Sequence, residues 1–214
     1  MNPSLKFILV LIIALEVSFT NSIVGNVILI VVGLLYLLVK RVKLKRLLWI
    51  LLIALIPAIG LLISQVLYAK SSHAGILLFT RIYVYVIYGA AFTLTTKLYE
   101  LVNSLEQNLH LPSKFVYGAM AAFNLLPEIQ AEVNKIKTAS LMRGVKLHWW
   151  SPTLYFKAIL SAIRWSENLA QGMESHGFVE GQSRTFYEPV KITMVDWLVF
   201  VFNVILLQAI LLLL

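Results

Sequence analysis

Long apolar runs broken by short polar ones make up most of this chain. The runs at 24–39, 47–67, 82–96 with its flanks, and 195–214 approach the length of about 17–25 residues that a helix needs to cross a bilayer while satisfying its own backbone hydrogen bonds. A shorter run at 7–15 follows a single lysine. It has two readings: a signal-peptide core, or the first arm of a tight helical hairpin with Thr20-Asn21-Ser22 as its turn. The hairpin is preferred, because a cleaved signal leaves Asn21-Ser22 directly before another apolar run, and an uncharged turn suits the outer side of a membrane. The expected count is about five spans.

Between 98 and 177 the pattern changes, with apolar residues at helical spacing and polar ones filling the gaps. Ile129, Val133, Ile136 and Ser140 mark one face of a helix predicted to start at Pro127 and stop at Gly144. A second helix is predicted from Ser151 as N-cap and Pro152 at the first position to Gly177. Its expected stripe is Ile159, Ile163, Ser166, Ala170 and Met173, so the two helices pack as a crossed pair. No other internal repeat is visible. The expected organisation is a single domain, with four membrane helices in 1–96, a coupling region in 97–191 and a last membrane helix in 192–214.

Composition supports this class. Sixty per cent of the residues are hydrophobic and 13% charged, against roughly 45–50% apolar residues in soluble domains. Mean hydropathy is +0.85. The stretch Lys40-Arg41-Val42-Lys43-Leu44-Lys45-Arg46 puts five cations and no acid into one short connection, which predicts a cytoplasmic location. By alternation, the N-terminus and 97–191 are inside, and the 65–75 loop and the C-terminus outside. Segment 97–191 carries 10 basic and 8 acidic residues. The net charge of +8 therefore reflects topology and contact with anionic lipid rather than nucleic acid.

Candidate chemistry is sparse. There is no cysteine, and no glycine-rich phosphate loop ending in Gly-Lys-Ser or Gly-Lys-Thr, so any ATP must be bound by another protein. His73, His110 and His148 lack partners at ligand spacing, so no metal site, cofactor or catalytic residue is expected. A membrane-embedded enzyme is the main rival class and a channel or structural protein the second. The enzyme reading lacks the clustered acids or histidines it needs. Glu16 and Arg81 are charges in apolar surroundings near the predicted outer interface, where snorkelling is the first reading and a polar contact in the bundle the second. Trp149-Trp150 reads as an interfacial aromatic anchor. Arg143, a base in the last helical turn before a glycine stop, reads from the residues alone as support for the helix dipole.

Leu141-Met142-Arg143-Gly144 and Glu174-Ser175-His176-Gly177-Phe178 close the two predicted helices. With them stand Asn2-Pro3-Ser4-Leu5-Lys6, Thr95-Thr96, Phe123-Asn124-Leu125-Leu126-Pro127, Arg184-Thr185 and Asp196-Trp197, in that order. This set resembles the transmembrane T component of energy-coupling factor (ECF) transporters, the CbiQ family, over most of the chain. The resemblance implies an all-α integral membrane protein of the prokaryotic plasma membrane, with a cytoplasmic pair of long crossed coupling helices. It implies no catalysis by the chain itself. Its partners would be two ATP-binding subunits, or a fused two-headed ATPase, and a substrate-binding S component. The cargo would be a vitamin, a vitamin precursor, or a transition-metal ion such as nickel or cobalt.

On this resemblance Met142, Arg143 and Gly144 form one ATPase-coupling tip and Ser175, His176 and Gly177 the other, supported by Pro127, Pro152, Glu174 and Arg184. Arginine would bring a fixed charge and five donors in a rigid fork, and glycine would let a partner backbone approach. The second tip departs from the family's Ala-Met-Glu-Ala-Arg-Gly-Phe pattern, because His176 stands where arginine is usual. Together with the short chain, this favours a dedicated over a shared transporter.

Overall fold

A computed structural model describes residues 1–68, 72–182 and 185–213, excepting the side chains of 211–213. The described residues form eight α-helices and no strand: α1 (Pro3–Phe19), α2 (Ile23–Val39), α3 (Leu44–Tyr68), α4 (Ser72–Thr95), α5 (Leu98–Leu109), α6 (Ser113–Met142), α7 (Pro152–Ser175) and α8 (Met194–Leu213). The chain is an all-α membrane protein. Helices α3 and α4 are long and apolar enough to cross a bilayer, and α2 and α8 are apolar but shorter. Two compact units are present, one of residues 1–109 with 189–214 and the other of 110–188.

In the first unit, the hairpin turn at Thr20-Asn21-Ser22 forms as expected. The Thr20 N–H and hydroxyl both donate to the Glu16 carbonyl, closing α1, and the Ser22 hydroxyl accepts from the Gly25 N–H, opening α2. Helix α3 runs to Tyr68 and helix α4 begins at Ser72, both inside the expected 65–75 loop, which leaves only 69–71, outside the described residues, between them. Arg81 does not stop this extension because its guanidinium donates to the Thr20 carbonyl at 2.7 Å. Glu16 accepts from the Gln208 amide at 2.6 Å. Both charges thus make polar contacts within the bundle, where snorkelling was the first expectation.

Helix α4 packs against α1, α2 and α3. Ile13, Val17, Leu29, Val84 and Leu207 join four helices in one buried cluster, and Leu37, Leu47, Ile87 and Ala91 form a second. At Gly33 a β-carbon would stand 2.5 Å from the Ile87 methyl, so glycine sets the α2–α4 approach. Because lipid is as apolar as these side chains, it is the close packing that holds such helices together. Outward-facing Leu52, Ile53, Ile56, Leu198 and Phe202 are exposed, a surface suited to hydrocarbon and not to water.

In the second unit α6 packs against α7. Two expectations fail here. Helix α6 does not start at Pro127 but runs through it from Ser113. Proline removes one backbone bond, that to the Phe123 carbonyl, and both residues are exposed, so water can satisfy the freed oxygen. Of the expected stripe of α7 only Met173 is covered, since Ile159 and Ile163 are 58% and 50% exposed and Ser166 and Ala170 are exposed too. The covered face runs through Leu154, Ala158, Ser161, Trp165 and Gly172 to Met173, with the Ser161 hydroxyl donating to Glu132 of α6 at 3.3 Å. That face mixes large and small residues, which an apolar count along the chain does not register. On α6 the expected face, Ile129, Val133, Ile136 and Ser140, is the covered one.

Candidate functional site

The two helix ends singled out by sequence share one backbone design. At the end of α6, Arg143 is the C-cap, the Gly144 N–H donates to Leu141 and the Val145 N–H to Ser140. At the end of α7, His176 is the C-cap, the Gly177 N–H donates to Glu174 and the Phe178 N–H to Met173. Each is a Schellman motif, in which two backbone donors beyond the helix satisfy two of its last carbonyls. The caps are nearly superimposable, with φ −92° and ψ 9° at Arg143 and φ −86° and ψ 11° at His176. Gly144 and Gly177 come next at φ +75° and +82°, in the left-handed region that costs other residues roughly 1–2 kcal/mol.

These ends project their side chains. Met142 is 83% exposed, and Arg143, Gly144, Ser175, His176 and Gly177 are exposed. Glu174 is exposed just before the second stop. The Ser175 hydroxyl bonds back to the Gly172 carbonyl at 2.8 Å, so it is turned along its own helix. Among the described residues no side-chain hydrogen bond or ion pair involves Arg143 or His176. Two of the carbonyls that a terminal arginine ordinarily supports, those of Leu141 and Ser140, are already taken by Gly144 and Val145. The guanidinium fork is left exposed.

The loops leaving the two tips differ. Beyond the first, the Lys137 ammonium lies 3.2 Å from the centre of the Trp149 ring, a cation–π contact that returns the loop to α6. Trp150 beside it is 91% exposed. Beyond the second, Phe178 meets Tyr117 edge-on at 5.8 Å and Glu180 pairs with Lys114 at 2.6 Å, returning that loop to the start of α6. Pro152 opens α7 as expected, whereas the Ser151 hydroxyl makes no capping bond. Arg184 lies outside the described residues.

Elsewhere in the first unit, residues far apart in sequence meet. The Lys6 ammonium donates to the Thr95 carbonyl at 3.3 Å and reaches its hydroxyl at 3.5 Å. Asn2 caps α1 by accepting from the Ser4 N–H and also accepts from the Ser104 hydroxyl and the Asn108 amide, which ties the start of α1 to α5. Ser104 and Asn108 went unnoticed in the sequence. Their one signal was polar residues one turn apart in a short amphipathic segment. Thr193 and Asp196 cap α8 reciprocally, the Thr193 N–H and hydroxyl donating to the carboxylate and the Asp196 N–H to the hydroxyl.

Residues 1–187 match the family model described as "Cobalt transport protein", CbiQ. Two relatives are similar as well, both named energy-coupling factor transporter transmembrane protein EcfT. The protein of Bacillus subtilis is 28% identical over 187 residues, covering 76% of this chain and 71% of its own. That of Thermanaerovibrio acidaminovorans is 25% identical over 140 residues, covering 58% and 52%.

Proposed function

The chain belongs to the CbiQ cobalt transport protein family, and from that premise we propose that it is the non-catalytic coupling subunit of an ECF-type importer. The two tips dock on two ATP-binding subunits, or on the two heads of a fused one: Met142, Arg143 and Gly144 on one, Ser175, His176 and Gly177 on the other. ATP binding draws those partners together, the tips move with them, and α6 and α7 slide against each other. Their motion reorients a membrane partner, the S component, that holds the cargo. ATP hydrolysis takes place in the partners. The cargo class is a vitamin, a vitamin precursor or a transition-metal ion.

One observation carries this reading. Both helices end in the same self-sufficient backbone cap, which leaves the exposed side chains of Arg143 and His176 with no part in closing their helices. Exposed glycines beside them admit a partner's backbone. The orientation rests on the five cations at 40–46, which favour a cytoplasmic location for that connection and for 97–191, in a cell-membrane protein with an inward N-terminus.

The assembly is tested by purifying the complex through a tagged ATP-binding subunit and assaying uptake alongside hydrolysis. Arg143→Glu is expected to express yet fail to co-purify, and wild-type assembly and uptake in this variant would overturn the coupling role. For orientation, cysteines at Ser72 and Thr138 in this cysteine-free chain are expected to label from opposite sides of the membrane. Labelling from one side rejects the arrangement.

A further inference from the structure

A cavity of about 400 Å³ in the first unit lies among α1, α2, α4 and α8, within the roughly 300–1,000 Å³ that ligand sites occupy. Its body is hydrocarbon, with Leu9, Val10, Val32, Val199 and Leu206 among its walls. Val32 and Val199 are also part-exposed on the apolar exterior, so the cavity is accessible from the side that faces lipid. Four of its polar residues, Lys6, Lys40, Thr95 and Asp196, lie where α1 and α8 begin and α2 and α4 end, and Tyr36, Tyr88 and Asn203 also line it.

The charges at that end are unequal. Lys6 is held by the Thr95 carbonyl and hydroxyl, and Lys40 by the face of Tyr36 at 6.0 Å. Neither lysine has a carboxylate partner among the described residues. Asp196, the acid in the lining, is engaged by Thr193 and by the Met1 ammonium at 3.2 Å. An apolar slot in a bilayer with two uncompensated cations at one mouth fits a single kind of molecule there, one with a hydrocarbon tail and an anionic head.

We propose that this cavity holds one acyl chain of an anionic glycerophospholipid, whose phosphate is bound by Lys6 and Lys40. The bound lipid fills the gap between α2 and α8 and completes the packing of the membrane unit. The proposal rests on the chain spanning a membrane and is independent of the coupling role, since its readout needs no ATP-binding partner.

The test is native mass spectrometry of the full chain released from vesicles of equimolar phosphatidylglycerol and phosphatidylcholine. Wild type is expected to retain one phosphatidylglycerol in preference to phosphatidylcholine. Lys40→Gln, which leaves the Lys6–Thr95 contacts intact, should lower that preference about fivefold, as should Lys6→Gln. Val32→Trp, on a part-exposed wall, should abolish retention of both lipids while the chain still elutes as folded protein. Absence of a retained lipid, or equal retention of the two in wild type, overturns the proposal.

Discussion

The ends of α6 and α7 have the same backbone and different side chains. Both carry a Schellman cap, a left-handed glycine and an exposed C-cap residue, yet one presents a guanidinium and the other an imidazole. Backbone form and side-chain chemistry are therefore separable here: a shared shape can serve docking at both tips while charge serves one. The loops beyond them add to the contrast, one bound back through Lys137 and Trp149, the other through Phe178 and Glu180.

Charge reversal should separate the tips most. Arg143→Glu facing a carboxylate in a partner's groove is expected to cost about 2–5 kcal/mol, or roughly 30-fold or more in affinity, read by titrating the tagged ATP-binding subunit. His176→Glu should cost less, and equal losses would show that the imidazole works as a full cation. Next come the glycines, where a β-carbon meets no atom within 4 Å, so that Gly144→Ala and Gly177→Ala test the backbone alone. Each should weaken docking by roughly 1–2 kcal/mol through φ strain, and to the same degree at both tips. Unequal losses would break the idea of a common shape.

His176→Arg sharpens the comparison from the other side. It should preserve assembly and tighten docking of the second partner by about 1 kcal/mol or less, as measured by the same titration. Equal uptake in wild type, His176→Arg and His176→Glu would show that the second tip docks by shape only. The smallest effect is expected from Trp149→Ala, which removes a contact of about 0.5–1 kcal/mol near the first tip only. Slightly faster proteolysis of the 143–151 loop, with the second tip's loop unchanged, is the expected readout.

Local signals carried through where the chemistry was local. The Thr20-Asn21-Ser22 turn, Pro152 at the head of α7 and the two glycine stops each depend on a few neighbouring residues, and each is where its pattern placed it. Signals that depended on competition with distant partners did not carry through. Pro127 is a strong helix opener, but helix-compatible residues from Ser113 onward precede it and an exposed carbonyl absorbs its one lost bond. Arg81 would end a span by its charge had Thr20 not supplied an oxygen. The expected stripe on α7, through Ile159, Ile163, Ser166, Ala170 and Met173, shares only Met173 with the covered face, because contact with α6 and not local periodicity selects that face.

By itself the sequence determined the class, an all-α membrane chain with two glycine-stopped helices, because hydropathy, charge asymmetry and turn chemistry act over a few residues at a time. Tertiary structure alone decided which face of α7 is covered, that Asn2 and Ser4 meet Ser104, and that Lys6 meets Thr95 beside an apolar cavity. Those pairings join positions about a hundred residues apart. They form because helices fixed by other contacts bring the groups within hydrogen-bond reach, and no local pattern encodes that geometry.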